Sequence, residues 1–194
     1  ASGGTYYLGV SNSNNTQYDP SSGDNDTAGG NNTVGSYDLF IQALPVDNDD
    51  TMNEANILAA VSATPQTLSD AIVTDIDVDM YRFTVNAGQF VGFDIDTDLN
   101  GTGGLGSFLR LFDSQGQQLA FNNNGAAPGE TELGIDAYLQ YTFTTRGTYY
   151  LGVSNSNNIQ YDPDLGTGDT AGGTDSIGDY RLTVQAIVTG TPEL

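Results

Sequence analysis

The sequence repeats itself out of phase. Residues 4–44, which open GTYYLGVSNSNN, return at 147–187 with an offset of 143 residues (147 − 4), and 27 of the 41 aligned positions are identical. A period of that size is a whole domain, not the unit of a solenoid, which runs to about 20–50 residues. The block 45–146 occurs only once. The chain therefore reads as the closing part of one domain followed by one complete copy, a window cut from a tandem array. On this division, 1–44 hold the C-terminal strands of a preceding repeat and are a candidate strand donor. Residues 45–70 form an acidic linker and domain lead-in, 71–188 the remainder of the complete repeat, and 189–194 a tail.

Composition narrows the chemistry. There is no cysteine, histidine or tryptophan, and the four cationic side chains are all arginines (Arg82, Arg110, Arg146, Arg181) against 25 carboxylates. A net charge of −21 repels nucleic acid and anionic membranes and attracts cations. No apolar run is long enough to span a bilayer, and no secretory leader is visible in the sequence as it stands. Without His or Cys there is no Ser-His-Asp triad, no Cys-His pair and no zinc site of the usual kind. Without Lys there is no Schiff base. A carboxylate pair could hydrolyse glycosides, and Glu130 with Glu132 or Asp136 is the one pairing outside the Asp-rich clusters. It lies in a Gly-Pro loop with no aromatic sugar platform, so the chain is read as no enzyme.

Strand patterns dominate. Tyr81, Phe83 and Val85 alternate with polar residues, as do Val91, Phe93 and Ile95, then Leu139, Tyr141 and Phe143, then Tyr149, Leu151 and Val153, and finally Tyr180, Leu182, Val184 and Ala186. Each stripe suits one buried face. The turns Asn86-Ala87-Gly88, Asp113 to Gly116, Asn122 to Gly125 and Thr145-Arg146-Gly147 are short and read as antiparallel hairpins. Only Asn53 to Val61 looks helical. The expected fold is all-β, an antiparallel β-sandwich or jelly-roll-like domain plus the closing strands of a preceding repeat. Tyr81, Phe83, Phe93, Leu111, Tyr141, Leu151 and Leu182 should lie inside. The twin segments Ser11 to Ser36 and Ser154 to Asp179 are rich in Gly, Asn, Asp and Ser and read as long loops.

Taken in order, Asp49-Asp50-Thr51 with Ala55, Asp77 to Val85 (DVDMYRFTV), Ala87-Gly88-Gln89, Ser107 to Ala120 (SFLRLFDSQGQQLA), Gly147 to Val153 and Gly178 to Val184 resemble the bacterial pre-peptidase C-terminal domain family. The resemblance covers about 47–187, and 4–44 match the family's last two strands. It implies a β-sandwich appended to secreted proteins and related to calcium-dependent collagen-binding modules. Met80 stands where the family often has Trp, and the loop after Val153 is enlarged and acidic.

Three carboxylate clusters could hold Ca2+, which takes six to eight hard oxygens from flexible loops. The main candidate is Asp47, Asp49, Asp50 and Glu54 together with Asp75, Asp77 and Asp79. So many adjacent carboxylates repel one another without a cation, and the resemblance implies calcium between the linker and this region. A solvated acidic edge is the competing reading. Asp96, Asp98 and Asn100, followed by Gly101, match the first half of an EF-hand loop, but Ser107 stands where the bidentate Glu belongs. Asp162, Asp164 and Asp169 form the third candidate, against a loop made soluble by its charge and a plain Tyr-Asp-Pro turn.

These readings converge on a non-catalytic, calcium-binding β-sandwich repeat of an extracellular or cell-surface protein. Its role would be structural, adhesive or fibre-forming through strand exchange. The partners would be other copies of itself or adjacent repeats, with neither nucleic acid nor membrane insertion. The alternative is an accessory module that targets a linked enzyme to an extracellular protein or polysaccharide.

Overall fold

In a computed structural model of the chain, residues 5, 7–11, 19–23, 36–39, 48–97, 105–130, 136–171 and 177–188 are described. The chain divides into two units, Ala1–Pro45 and Val46–Leu194. In the first unit, residues 7–11 and 36–39, parts of the expected strands, have no strand pairing. Leu8, Val10 and Leu39 are exposed, and Ile41 lies outside the described residues. Asp19 organises a tight turn there. Its Oδ1 accepts hydrogen bonds from the Ser21 N–H (2.8 Å), the Ser21 hydroxyl (2.6 Å) and the Ser22 N–H (3.3 Å). Those donors stabilise the anion and lower the Asp19 pKa to about 2.

The second unit contains nine described strands: β1 (Asn56–Ile57), β2 (Gln66–Ile72), β3 (Val78–Val85), β4 (Phe90–Asp96), β5 (Ser107–Phe112), β6 (Gln118–Asn122), β7 (Tyr138–Thr142), β8 (Gly147–Asn155) and β9 (Gly178–Ala186). They form two sheets, ordered β1-β3-β8-β5-β6 and β2-β9-β4-β7. All pairings are antiparallel except the two-residue contact of β1 with β3. This is the all-β sandwich that the alternating stripes require, since a lone sheet could not bury its apolar face. Tyr81, Phe83, Phe93, Leu111, Leu151 and Leu182 are buried in one core, with Tyr141 half-buried at its edge. At one end the rings interlock: Phe83 meets Phe93 at 5.3 Å and Phe143 at 5.9 Å between centroids, and Phe143 meets Tyr149 edge-on at 4.6 Å.

Two expectations are corrected. The stretch Asn53 to Val61 is not helical: residues 52–54 turn, β1 follows, and the Leu58 N–H then bonds the Arg82 carbonyl at 2.9 Å. Tertiary pairing along the edge of β3 overrides the local helical preference. Second, of the four short turns only Asp113 to Gly116 closes a hairpin within a sheet, β5 with β6. The turns Asn86-Ala87-Gly88 and Thr145-Arg146-Gly147 carry the chain from one sheet to the other, and Asn122 to Gly125 opens the longer connection from β6 to β7, which also changes sheet. A few residues can cross the gap of about 10 Å between packed sheets as readily as they reverse a strand. The segment 45–70, read as an acidic linker and domain lead-in, contains β1 and most of β2.

The loop after β8 also departs from a merely solvated segment. Tyr161 is buried with Val78, Met80 and Phe112 in a second apolar cluster on the outer face of the five-stranded sheet. Its ring lies over Gly152, where an added Cβ would overlap the Tyr161 hydroxyl and press on the Met80 sulfur. The Arg110 guanidinium sits 4.7 Å from the Phe112 ring centre and 4.4 Å from that of Tyr161, and its Nη1 donates to the Tyr161 carbonyl at 2.6 Å. The loop is thus fastened at one aromatic residue. Gly152→Ala is expected to lose about 1–3 kcal/mol of unfolding free energy through overpacking. Tyr161→Phe, which removes a buried hydroxyl without a hydrogen-bond partner, should cost nothing or stabilise. Chemical denaturation of the two variants beside the parent chain checks both signs.

Candidate functional site

The stripes of β2 and β3 each carry a carboxylate on the face that points into the sandwich. On β3 the inward series is Asp79, Tyr81, Phe83 and Val85, all buried, while Arg82 and Thr84 are exposed. On β2 the more buried series is Leu68, Asp70 and Ile72. The antiparallel register sets Asp70 opposite Tyr180 of β9. A hydrogen-bonded chain results. The Tyr180 hydroxyl bonds Asp79 Oδ2, the Tyr81 and Tyr180 hydroxyls lie 2.5 Å apart, and the Tyr81 hydroxyl donates to Asp70 Oδ2 at 2.8 Å. Asp49, on the lead-in segment, closes over this chain. Its backbone carbonyl accepts from the Met80 N–H at 2.9 Å and its Oδ2 from Asn56 Nδ2 at 2.5 Å.

Asp49, Asp70 and Asp79 therefore place carboxylate oxygens within 4.8 Å of one another. Asp49 and Asp79 are buried and Asp70 is half-buried. Burial raises the Asp79 pKa to about 9, and the neighbouring charges of Asp70, Asp49 and Asp77 add to the effect, opposed by the hydrogen bond from Tyr180. The geometry gives the same answer by proton counting. The chain Asp79–Tyr180–Tyr81–Asp70 contains three short oxygen–oxygen links but only two phenolic hydrogens. The third link needs a proton on a carboxylate, and Asp79 is the more deeply buried of the two. Burial also raises both phenols, above the ordinary tyrosine range, so they remain donors. The second oxygen of Asp79, Oδ1, is buried and lacks a hydrogen-bond partner. A buried carboxylate oxygen without a donor, on a residue whose carboxylate gathers with two more, is of the ligand type a hard cation takes.

Of the main sequence candidates, Asp49 and Asp79 converge here, and Asp70 was missed. The available signal was its place on an apolar stripe, where a carboxylate is out of pattern. The other candidates take different positions. Asp50 Oδ1 accepts from the Val78 N–H at 3.2 Å, and Asp77 is buried with Oδ2 receiving the Val73 N–H at 2.5 Å. Glu54 is exposed and bonded to the Thr51 hydroxyl at 2.8 Å. The Asp75 carbonyl accepts from Asn155 Nδ2 at 2.6 Å. Asp47 lies outside the described residues.

The second candidate is rearranged. Asp98 and Asn100 lie outside the described residues, whereas Asp96 gathers with Asp94 and Glu130. Arg181 bonds Asp96 there at 2.8 Å. Burial first, then Asp96, Glu130 and Asp136, raise Asp94 to about 6, with Arg181 opposing. Asp136 accepts a hydrogen bond from Thr97, and Glu132 is outside the described residues. The third candidate does not converge. Asp162 Oδ1 caps a turn through the Asp164 and Leu165 N–H groups at 2.9 and 3.1 Å, repeating the Asp19 turn, while Asp169 accepts from Asn158 Nδ2 at 3.0 Å.

The sign of the pH dependence follows. In metal-free protein Asp79 holds its proton more tightly when folded, with a pKa raised to about 9, than in the unfolded chain, where a carboxyl has its ordinary value of 3.8. The unfolded chain then binds fewer protons between those values, so stability falls as pH rises. The stability should be intact below about pH 4 and decline continuously toward about pH 9. Asp79→Asn should flatten that decline. Urea titrations in EDTA at a series of pH values measure it.

A protein described as a probable subtilase-type serine protease of Deinococcus radiodurans is 32% identical over 113 residues, which are 58% of this chain and 14% of that protein. The chain thus spans a small part of that relative's length. Among solved structures, the pre-peptidase C-terminal domain of a collagenase from Bacillus anthracis is 16% identical with a TM-score of 0.41, covering 68% of this chain and 96% of that one. The periplasmic g-type lysozyme inhibitor PliG of Salmonella Typhimurium is 18% identical with a TM-score of 0.38, covering 68% and 97%. Residues 77–155, from the foot of β3 to the end of β8, match the family model of the bacterial pre-peptidase C-terminal domain.

Proposed function

We propose that the second unit is a non-catalytic β-sandwich module of a secreted or cell-surface protein and that it holds Ca2+ at Asp49, Asp70 and Asp79. The observation that carries the reading is the meeting of Asp79 with Asp49 and Asp70: each turns a carboxylate oxygen to within 4.8 Å of the others, and Asp79 Oδ1 is buried without a donor. Each of the three carboxylates offers one hard oxygen to a common point, and hard oxygens are the ligand type calcium selects. A bound cation would displace the Asp79 proton, since ligand deprotonation and metal binding are coupled. Asp49 comes from the lead-in segment, Asp70 from the four-stranded sheet and Asp79 from the five-stranded sheet. The cation would therefore join three pieces of chain that are separate in sequence. That is a stabilising role, and the absence of His, Cys and Lys supports a module without catalysis.

Two copies of the closing segment in one chain, identical at 27 of 41 positions, favour a structural or adhesive repeat that spaces or joins units at the cell surface. The similarity to a subtilase-type protease favours a second reading, an accessory domain that attaches a linked enzyme to protein or polysaccharide. Flanking sequence separates them: further copies support the repeat, a protease domain the accessory role.

Binding to the folded state alone stabilises by RT ln(1 + [L]/Kd), about 2.7 kcal/mol at a hundredfold excess over Kd. Millimolar calcium should therefore raise the melting temperature relative to EDTA. Asp79→Asn and Asp70→Asn should abolish the rise, Asp77→Ala should reduce it, and Asp164→Asn should leave it unchanged. Superimposable melting curves in calcium and EDTA would sink the calcium reading.

A further inference from the structure

The described part of the first unit exposes apolar residues whose counterparts in the second unit are buried, and the second unit shows what covers them. Leu8, Val10, Tyr37 and Leu39 are 68%, 49%, 66% and 50% exposed. Their counterparts 143 residues on, Leu151, Val153, Tyr180 and Leu182, are each 0% exposed. The strand register identifies the cover. Leu151 lies opposite Tyr81 of β3 and Leu111 of β5, and Val153 opposite Asp79 and Leu109. Leu182 lies opposite Leu68 of β2 and Ile95 of β4, and the Tyr180 hydroxyl joins Tyr81 and Asp79. All four covering strands come from the single block 66–112, and in the second unit that block is already closed by β8 and β9.

We infer that residues 4–44 are the closing strands of a further sandwich whose other strands are a copy of 46–146 directly upstream on the same polypeptide. The chemistry of the partner is set by the residues left over. Four apolar or aromatic positions need alternating apolar stripes, and Tyr37 needs a buried carboxylate and phenol in the places of Asp79 and Tyr81. Connectivity selects the same chain over a second molecule. Arg146 joins directly to Gly147 at the corner between β7 and β8, and Gly4 occupies the place of Gly147 in the repeat. A copy of 46–146 that ends where residue 4 begins closes with no added loop and the least entropic cost. In a second molecule the same strands already pair with their own β8 and β9, so recruitment there requires displacement. This inference goes beyond the calcium reading and does not rest on it.

The test is an extended chain in which residues 46–146 precede residues 4–194, compared with the 194-residue chain by hydrogen exchange and sedimentation, in calcium and in EDTA. The extended chain should be monomeric, and the amides of 7–10 and 37–39 should exchange as slowly as those of 150–153 and 180–182. In the 194-residue chain they should exchange at unstructured rates. Leu39→Asp in the extended chain should strip protection from 7–10 and from the added block while leaving 150–153 protected. Protection found in either solution supports the inference whatever the calcium result. Three outcomes overturn it: 7–10 and 37–39 unprotected in the extended chain, with the added block unfolded or aggregated; protection already present in the monomeric 194-residue chain; or protection lost on dilution, which assigns the occupant to a second molecule.

Discussion

The chain of hydrogen bonds from Asp79 through Tyr180 and Tyr81 to Asp70 crosses the sandwich three times. Asp79 and Tyr81 stand on β3 in one sheet, and Tyr180 and Asp70 stand on β9 and β2 in the other. Apolar packing holds two sheets together without fixing how they slide, because it is non-directional. A set of short, directional bonds at one end removes that freedom. It also creates the difficulty the rest of the structure answers: two carboxylates are drawn into a low-dielectric layer, where leaving them ionised and unpaired is costly. A proton on Asp79 relieves part of that cost. A cation shared with Asp49 would relieve the remainder.

The opposite end of the same strand shows the contrasting solution. Beyond Tyr81 the inward series on β3 turns wholly apolar, and Phe83 packs among Phe93, Phe143 and Tyr149. One strand thus carries a polar clamp at its foot and an aromatic plug at its head. The enlarged loop after β8 covers the outer face beside the clamp. Tyr161 fills the space above Gly152 beside Met80, and the Pro163 carbonyl accepts the Met52 N–H at 2.8 Å. The lead-in segment that carries Asp49 is therefore held from the loop side as well as by β3. Loop and lead-in together keep Asp49 buried, which is what gives the carboxylate group its low-dielectric setting.

Charge is distributed to suit this arrangement. Arg110 lies over the rings of Phe112 and Tyr161, and Arg181 is paired with Asp96. The charges that act most on Asp79 are all negative. A chain with net charge −21 concentrates cations from solution at its surface, and Asp79, the most deeply buried carboxylate among the described residues, has an oxygen without a donor.

Much of the fold was legible in the residues themselves. Period-2 stripes identified β3, β4, β7, β8 and β9 and the face each buries, because alternation is dictated by strand geometry and not by context. The repeat located the two closing strands and the Asp-capped turn that recurs at Asp19 and Asp162. The apparent helix at 53–61 became a parallel edge contact, since a two-residue strand has no periodicity to read. Turn length did not reveal which sheet receives the next strand, because reversing within a sheet and crossing between sheets need similar spans. The site was half legible. Asp49 and Asp79 stand in acidic runs that announce themselves. Asp70 becomes a neighbour of Asp79 only through the register of β2 on β9 and the stacking of one sheet on the other. The sequence by itself determined which side chains point inward on each strand; tertiary structure decided which of those from different sheets meet, because side-chain alternation is a local property and sheet-to-sheet stacking is not.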